Sequence, residues 1–278
     1  MSTTRPLNAD QVAHWHDDGY LLARKLFSTE EIDLLLKIAR SDQLVAKSAG
    51  RQDSQGNVSR LTLRNDLYDD TYSGFVRCRR VVDAMEQLLD DEVYHFHHKM
   101  MLKEPLVGGA WEWHQDYGYW YQNNFCMYPD MGSCLIAIDR ANKENGCLQV
   151  IRGSHKLGRV NHGTTGTQTG ADMERVDAAL NVLKLDLVHA ELEPGDALFF
   201  HANTLHRSDQ NRSPNPRWSL IGCYNTKHNN PYKHVPGGHP MYTPLEKWDD
   251  ARVLETAKRE WAQRQKMPTT NQGIHVSA

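Results

Sequence analysis

Apolar residues along this chain recur first at helical and then at strand spacing. Residues 8–18 carry an amphipathic pattern that stops at Gly19, a residue suited to the left-handed turn that closes a helix, and residues 20–24 read as a short strand. Ser28 followed by Glu31 has the pattern of a capping box, and Ile32, Leu35, Leu36 and Ala39 then lie on one stripe of the helix it opens. Helical spacing returns over residues 76–89. Residues 47–60 between them are polar, contain Gly50 and Gly56 and show no apolar period, which predicts a loop and a candidate flap over a site.

From Val93 onward the period shortens. Residues 93–102, 134–139, 148–151, 188–192, 197–201 and 218–224 are β-rich runs separated by turns such as Glu193-Pro194-Gly195-Asp196. Residues 245–266 are charged and helical, and the polar tail beyond them is expected to fray. This order predicts a single domain over 1–278, with a helical N-terminal layer (8–92), a barrel core (93–228) and a C-terminal helix (245–266). The fold expected is mostly β with flanking helices, a double-stranded β-helix of the jelly-roll or cupin-like kind, whose mouth commonly holds a metal-centred pocket.

A net charge of −3 over 278 residues gives no basic field, so neither nucleic acid nor an anionic membrane is an expected partner. The N-terminus lacks the apolar core of a signal peptide, and no run approaches the roughly 18 apolar residues of a spanning helix. A cytoplasmic enzyme acting on a small molecule, as monomer or homodimer, is expected. Cys78, Cys126, Cys134, Cys147 and Cys223 show no paired spacing, which predicts reduced and mostly buried thiols.

Candidate chemistry centres on the run 111–120. His114 and Asp116 stand two residues apart where a strand gives way near Gly118, and positions i and i+2 share a strand face. A third ligand must come from another strand, with His201 and His206 as candidates; His206 lies beyond the apolar run, where a side chain can reach a ligand. Two imidazoles and one carboxylate on one face of a metal leave the other face open, as in non-haem Fe(II) oxygenases. Arg217 opens a later strand, and a guanidinium projecting into a barrel needs an anion, which a dicarboxylate would supply with help from Ser208.

These residues resemble the phytanoyl-CoA dioxygenase family of Fe(II)/2-oxoglutarate oxygenases, which carries an HxD pair, a distal His, a Ser two residues later and an Arg eleven residues after that His. The matching positions are His114, Asp116, His206, Ser208 and Arg217, and similar features extend over roughly residues 10–230, including Trp15-His-Asp-Asp-Gly-Tyr20 and Asn145-Gly-Cys-Leu-Gln-Val-Ile-Arg-Gly-Ser-His155. The resemblance implies iron held by His114, Asp116 and His206, with Arg217, Ser208 and Ser133 contacting 2-oxoglutarate. Oxygen is then the third reactant, and hydroxylation of an unactivated C–H bond releases succinate and CO₂. Related halogenases replace the carboxylate by a small residue, so Asp116 implies hydroxylation. Because the ligating imidazoles must be neutral, iron affinity is expected to fall below about pH 6.

Trp113-His-Gln-Asp116 with Trp120 looks most like the ectoine hydroxylase branch, but His97 and Met101 stand on the strand where that branch uses Gln and Asn. Trp120, His97 and Met101 are the expected substrate contacts. Trp111, Trp113, Tyr117, Tyr119, Tyr121, Phe125 and Tyr128 offer an aromatic wall for a cationic or cyclic molecule, although packing in the core and a lid accounts for most of them. Strand alternation puts His95 and His97 on one face and His98 on the other, and His155-Lys156 reads as a structural turn. The competing readings are an acyl-CoA 2-hydroxylase, whose CoA phosphates would need more basic surface, and a non-oxidative metal-binding cupin-like protein, which has no use for a dicarboxylate clamp.

Overall fold

The computed structural model describes residues 6–266. In chain order its strands are β1 (Tyr20–Ala23), β2 (Ala49–Gln52), β3 (Val58–Arg64), β4 (Val93–Lys103), β5 (Trp111–His114), β6 (Met131–Ala137), β7 (Leu148–Ile151), β8 (His162–Thr165), β9 (Gln168–Ala171), β10 (Leu187–Ala190), β11 (Ala197–His201), β12 (His206–Ser208) and β13 (Arg217–Thr226). The helices are α1 (Ala9–Asp18), α2 (Thr29–Ser41), α3 (Gln43–Ala46), α4 (Thr71–Arg77), α5 (Arg79–Leu89), α6 (Asp116–Asn124), α7 (Met173–Asp177) and α8 (Asp250–Lys266). A large sheet has the order β1-β11-β6-β13-β4-β3-β2, a smaller one the order β10-β7-β12-β5, and β8 pairs with β9 alone.

Alternation along the central strands sorts two cores. Cys134, Ile136, Ala197 and Phe199 face the cluster built with α2, α4, α5 and α8, while Leu135, Ala137, Leu198 and Phe200 face the cluster between the sheets. The jelly-roll expectation holds, with helices on the outer face of the large sheet, but the sheets are not closed into a barrel. No ladder joins them among the described residues. With β5 and β12 spanning four and three residues, the small sheet covers only part of the large one and leaves a cavity open between them.

Local signals near the N-terminus translate directly. Asn8 caps α1, Gly19 closes it at φ 79°, and Ser28 with Glu31 forms the capping box of α2. Residues 47–60 are not a loop: β2 and β3 form an arm whose β2 half is wholly exposed, so it shows no apolar alternation. The stretch 76–89 is two helices, broken where Cys78 is extended (φ −70°, ψ 150°). Residues 245–249 precede the C-terminal helix, and Trp248 is buried there in a bridge to Cys78. The tail expected to fray lies outside the described residues. All five cysteines are free and buried, and no described helix is long and apolar enough to cross a membrane.

Candidate metal centre and its two cavities

β5 runs antiparallel to β12 with His114 directly opposite His206, so the two rings meet across the ladder with centroids 4.0 Å apart. Asp116 is not on the strand. β5 ends at His114 and Asp116 opens α6, so the HxD spacing works through a turn instead of strand alternation. Buried Gln115 holds that turn: its Nε2 donates to the carbonyls of Gly158 and Asn203 (2.8 Å each), and its Oε1 accepts from Val160 N (2.8 Å). Its backbone N–H donates to His162 Nε2 (2.9 Å). That ring lies so close to α6 that a Cβ at Gly118 would come within 2.0 Å of it, so a glycine is required there for approach.

The ligand atoms of His114, Asp116 and His206 lie within 4.8 Å of one another, and all three residues are buried. His114 Nδ1 donates to the Glu112 carbonyl (2.7 Å) and His206 Nδ1 to the Thr204 carbonyl (2.9 Å). A neutral imidazole that gives its proton at Nδ1 keeps a lone pair at Nε2, which is how metal-ligating rings are oriented. Burial, and then His114 beside it, pushes His206 down to about 3. Burial opposes an ionised Asp116, but Lys99, His114 and His206 outweigh it and hold the carboxyl well below its usual range. Lys99 Nζ lies 3.9 Å from Asp116 Oδ1; burial works against its charge, and the attraction of Asp116 raises it nonetheless. The Ser133 hydroxyl donates to Asp116 Oδ2 (3.1 Å). Two imidazole nitrogens and one carboxylate with open neighbouring space fit a divalent first-row metal that keeps free positions.

Two cavities meet at this centre. The inner one, about 30 Å³, is bounded by His114, His206, Ser208, Met101 and Arg217. Arg217 is buried, its Nε has no hydrogen-bond partner among the described residues, and burial pushes it down to about 10. A guanidinium so placed, with a serine hydroxyl on the same wall, is the fit expected for an anionic carboxylate. Its ladder neighbour Lys103 donates to the Asp209 carbonyl, and burial followed by Arg217 drives that amine well below its usual range. The outer cleft, about 370 Å³, is lined by His97, Trp120, His239 and Arg51 and reaches His114 and Asp116. His97 stacks on His239 (4.5 Å between centroids) and meets Trp120 edge-on (5.7 Å).

Several expected placements change. Ser133 holds Asp116 and does not line the cavity with Arg217, because its strand position faces the carboxylate. Met101 lies in the inner cavity beside Arg217, not in the outer cleft with Trp120 and His97. His201 is in the large sheet, packed against Trp15 and His155, and takes no part. A bulge in the β4–β13 ladder leaves Tyr224 opposite His95 and Cys223 opposite His97, so His95 joins His98 (3.0 Å) and His97 alone faces the cleft. Of the aromatic run, Trp111, Tyr119 and Trp120 line the cleft. Trp113 packs in a separate cluster, the Tyr117 hydroxyl donates to the Met127 carbonyl, and Phe125 and Tyr128 pack against Tyr232 and His228. His155-Lys156 is a surface turn held to His16 and Asp17.

Gln115, His162, Lys99 and His239 also build the site, outside the motif of two histidines, aspartate, serine and arginine. Lys99 had a legible signal, a charge in phase with His97 and Met101 on an apolar strand. His239 had none, since residues 227–249 carry no period.

The phytanoyl-CoA dioxygenase family model matches residues 15–219. An L-proline trans-4-hydroxylase of Streptomyces griseoviridis is 30% identical over 258 residues, covering 88% of this chain and 94% of the relative. An ectoine dioxygenase of Bordetella bronchiseptica is 27% identical over 243 residues, covering 82% and 79%. The crystal structure of EctD from S. alaskensis with bound Fe superposes with a TM-score of 0.73 at 22% identity, over 90% of each chain. That of the epimerase SnoN with Fe³⁺, alpha ketoglutarate and nogalamycin RO gives 0.66 at 20% identity, over 86% of this chain and 93% of the other. At those identities the structural likeness speaks for the fold.

Proposed function

This chain belongs to the phytanoyl-CoA dioxygenase family and is a 2-oxoglutarate-dependent dioxygenase, and we propose that it hydroxylates an unactivated C–H bond of a small metabolite. The observation that carries the reading is the buried His114, Asp116 and His206 cluster at the junction of two cavities, one of which ends at the buried Arg217 guanidinium, whose Nε has no partner among the described residues. Ferrous iron with 2-oxoglutarate and oxygen supplies the oxidising chemistry, with succinate and CO₂ as co-products.

The chain's own residues do the rest. His114 and His206 offer Nε2 because their Nδ1 protons are committed to backbone carbonyls, and Asp116 stays ionised beside Lys99. Arg217 and Ser208 take the far carboxylate of the cosubstrate. Trp120, His97 and His239 wall the outer cleft and limit water near the reacting carbon. A cleft of about 370 Å³ sits at the low end of ligand pockets, which favours a compact amino-acid-like or osmolyte-like molecule over a long acyl thioester.

The test is succinate formation from 2-oxoglutarate with Fe(II), oxygen and no added substrate. Slow uncoupled turnover that disappears in Asp116→Ala is expected. Absence of succinate under every reducing condition would favour a non-oxidative metal-binding protein.

A further inference from the structure

The outer cleft has an unbalanced charge. Apart from Asp116, which faces Lys99 at 3.9 Å, no carboxylate among the described residues lines it, so a cationic group entering would meet no counter-charge from them. Arg51 lines the same cleft and makes no ion pair among the described residues. The wall that carries it is held in place: Gln52 N donates to Thr167 Oγ1 (2.7 Å) and Thr167 N to the Gln52 carbonyl (3.2 Å), which ties the β2–β3 arm to the β8–β9 hairpin. Deeper in the cleft, His97 is almost fully buried and its Nδ1 has no hydrogen-bond partner among the described residues, an expense that a bound polar group would relieve. Burial, with His239 and Lys99 beside it, keeps His97 neutral, and His239 is pushed down to about 4 by burial and then Lys99, so neither ring adds charge.

We propose that the substrate is a small carboxylate, anchored by the Arg51 guanidinium at the cleft mouth and offered a hydrogen bond by His97 beside Trp120. The inference rests on the oxygenase reading for the reaction but not for the anchor. Most rings of the run 111–128 pack elsewhere, as the sequence suggests, so they build no cation-binding wall, and the charge that remains in the cleft is positive.

Matched acids and primary amides without an amine test it: cyclopentanecarboxylate and cyclohexanecarboxylate, each against its own amide. Binding is read by saturation-transfer NMR on the protein with Fe(II) and 2-oxoglutarate under argon, and turnover by stimulated succinate release in air. The acids should bind and the amides should not; Arg51→Gln should weaken acid binding about tenfold while Arg51→Lys restores most of it. Amides binding as well as acids, no binding by either, or an unchanged acid affinity in Arg51→Gln overturns the anchor. Acid binding lost in Arg51→Gln supports it even where no succinate forms, an outcome that would sink the oxygenase reading alone.

Discussion

A buried histidine that must bind a metal gains from the desolvation that elsewhere costs it. The ordinary imidazole pKa predicts that protons displace a metal below about pH 6, but burial and His114 move His206 to about 3, so His206 drops out of that competition over the accessible range. Metal affinity should therefore lose no more than one proton's worth of dependence between pH 7 and 5.5. Anaerobic Fe(II) titrations at stepped pH check this, and a plot of log Kd against pH with a slope of two would contradict it. Arg217 is the other residue whose environment sets its role. Replacing it by Gln removes the charge that an incoming carboxylate meets in a buried cavity, and the KM for 2-oxoglutarate should rise about a hundredfold. A KM within threefold of the parent, roughly the scatter of a weak surface pair, would place the cosubstrate elsewhere.

Elements decide which residues reach the centre. The β2–β3 arm brings Arg51 to the cleft, and Asp53 shapes its turn. Oδ1 of Asp53 accepts from Gln55 N (2.9 Å) and Asn57 N (2.8 Å), while Oδ2 accepts from Ala110 N (2.8 Å). The β8–β9 hairpin approaches so closely that a Cβ at Gly166 (φ 59°) would stand 2.6 Å from the carbonyls of Gln52 and Asp53, so that turn needs glycine on both counts. Asp53→Ala should cost about 2 kcal/mol through backbone donors left unpaired and open the arm to proteolysis between residues 51 and 57. Unchanged denaturant midpoints and an uncut arm would show that β8–β9 alone holds it.

At the scale of the whole molecule, the structure buries many histidines in neutral form. His98, His201 and His206 are each pushed to about 3 and His162 and His239 to about 4, in every case chiefly by burial. The unfolded chain takes up these protons near the ordinary value of about 6.5, whereas the folded chain does so only several units lower. Between those limits the unfolded state binds more protons, so stability is full above about pH 6.5 and declines as pH falls, by up to about 1.4 kcal/mol per pH unit for each such histidine. Melting temperatures of the metal-free protein should be level from pH 8 to 7 and drop steadily from 6.5 to 5. A flat profile down to pH 5 would mean that these rings are hydrated in solution.

The reaction class and the fold class were legible along the chain because both rest on local order. His114 and Asp116, the distal His206, and Ser208 and Arg217 at fixed offsets stand in a recognisable sequence, and short β-rich runs bounded by turns marked β6 and β11. The capping box at Ser28 likewise needs only four consecutive residues. What no period encodes was settled by strands and turns meeting across long separations. Register puts His114 opposite His206, a bulge sends His97 away from His95, Gln115 fixes a turn through carbonyls 43 and 88 residues away, and an irregular segment delivers His239. Arg51 reached the cleft the same way, from a strand too exposed to alternate. Residue types carry the chemistry that can occur, whereas the surroundings that set charge and shape exist only once distant segments pack.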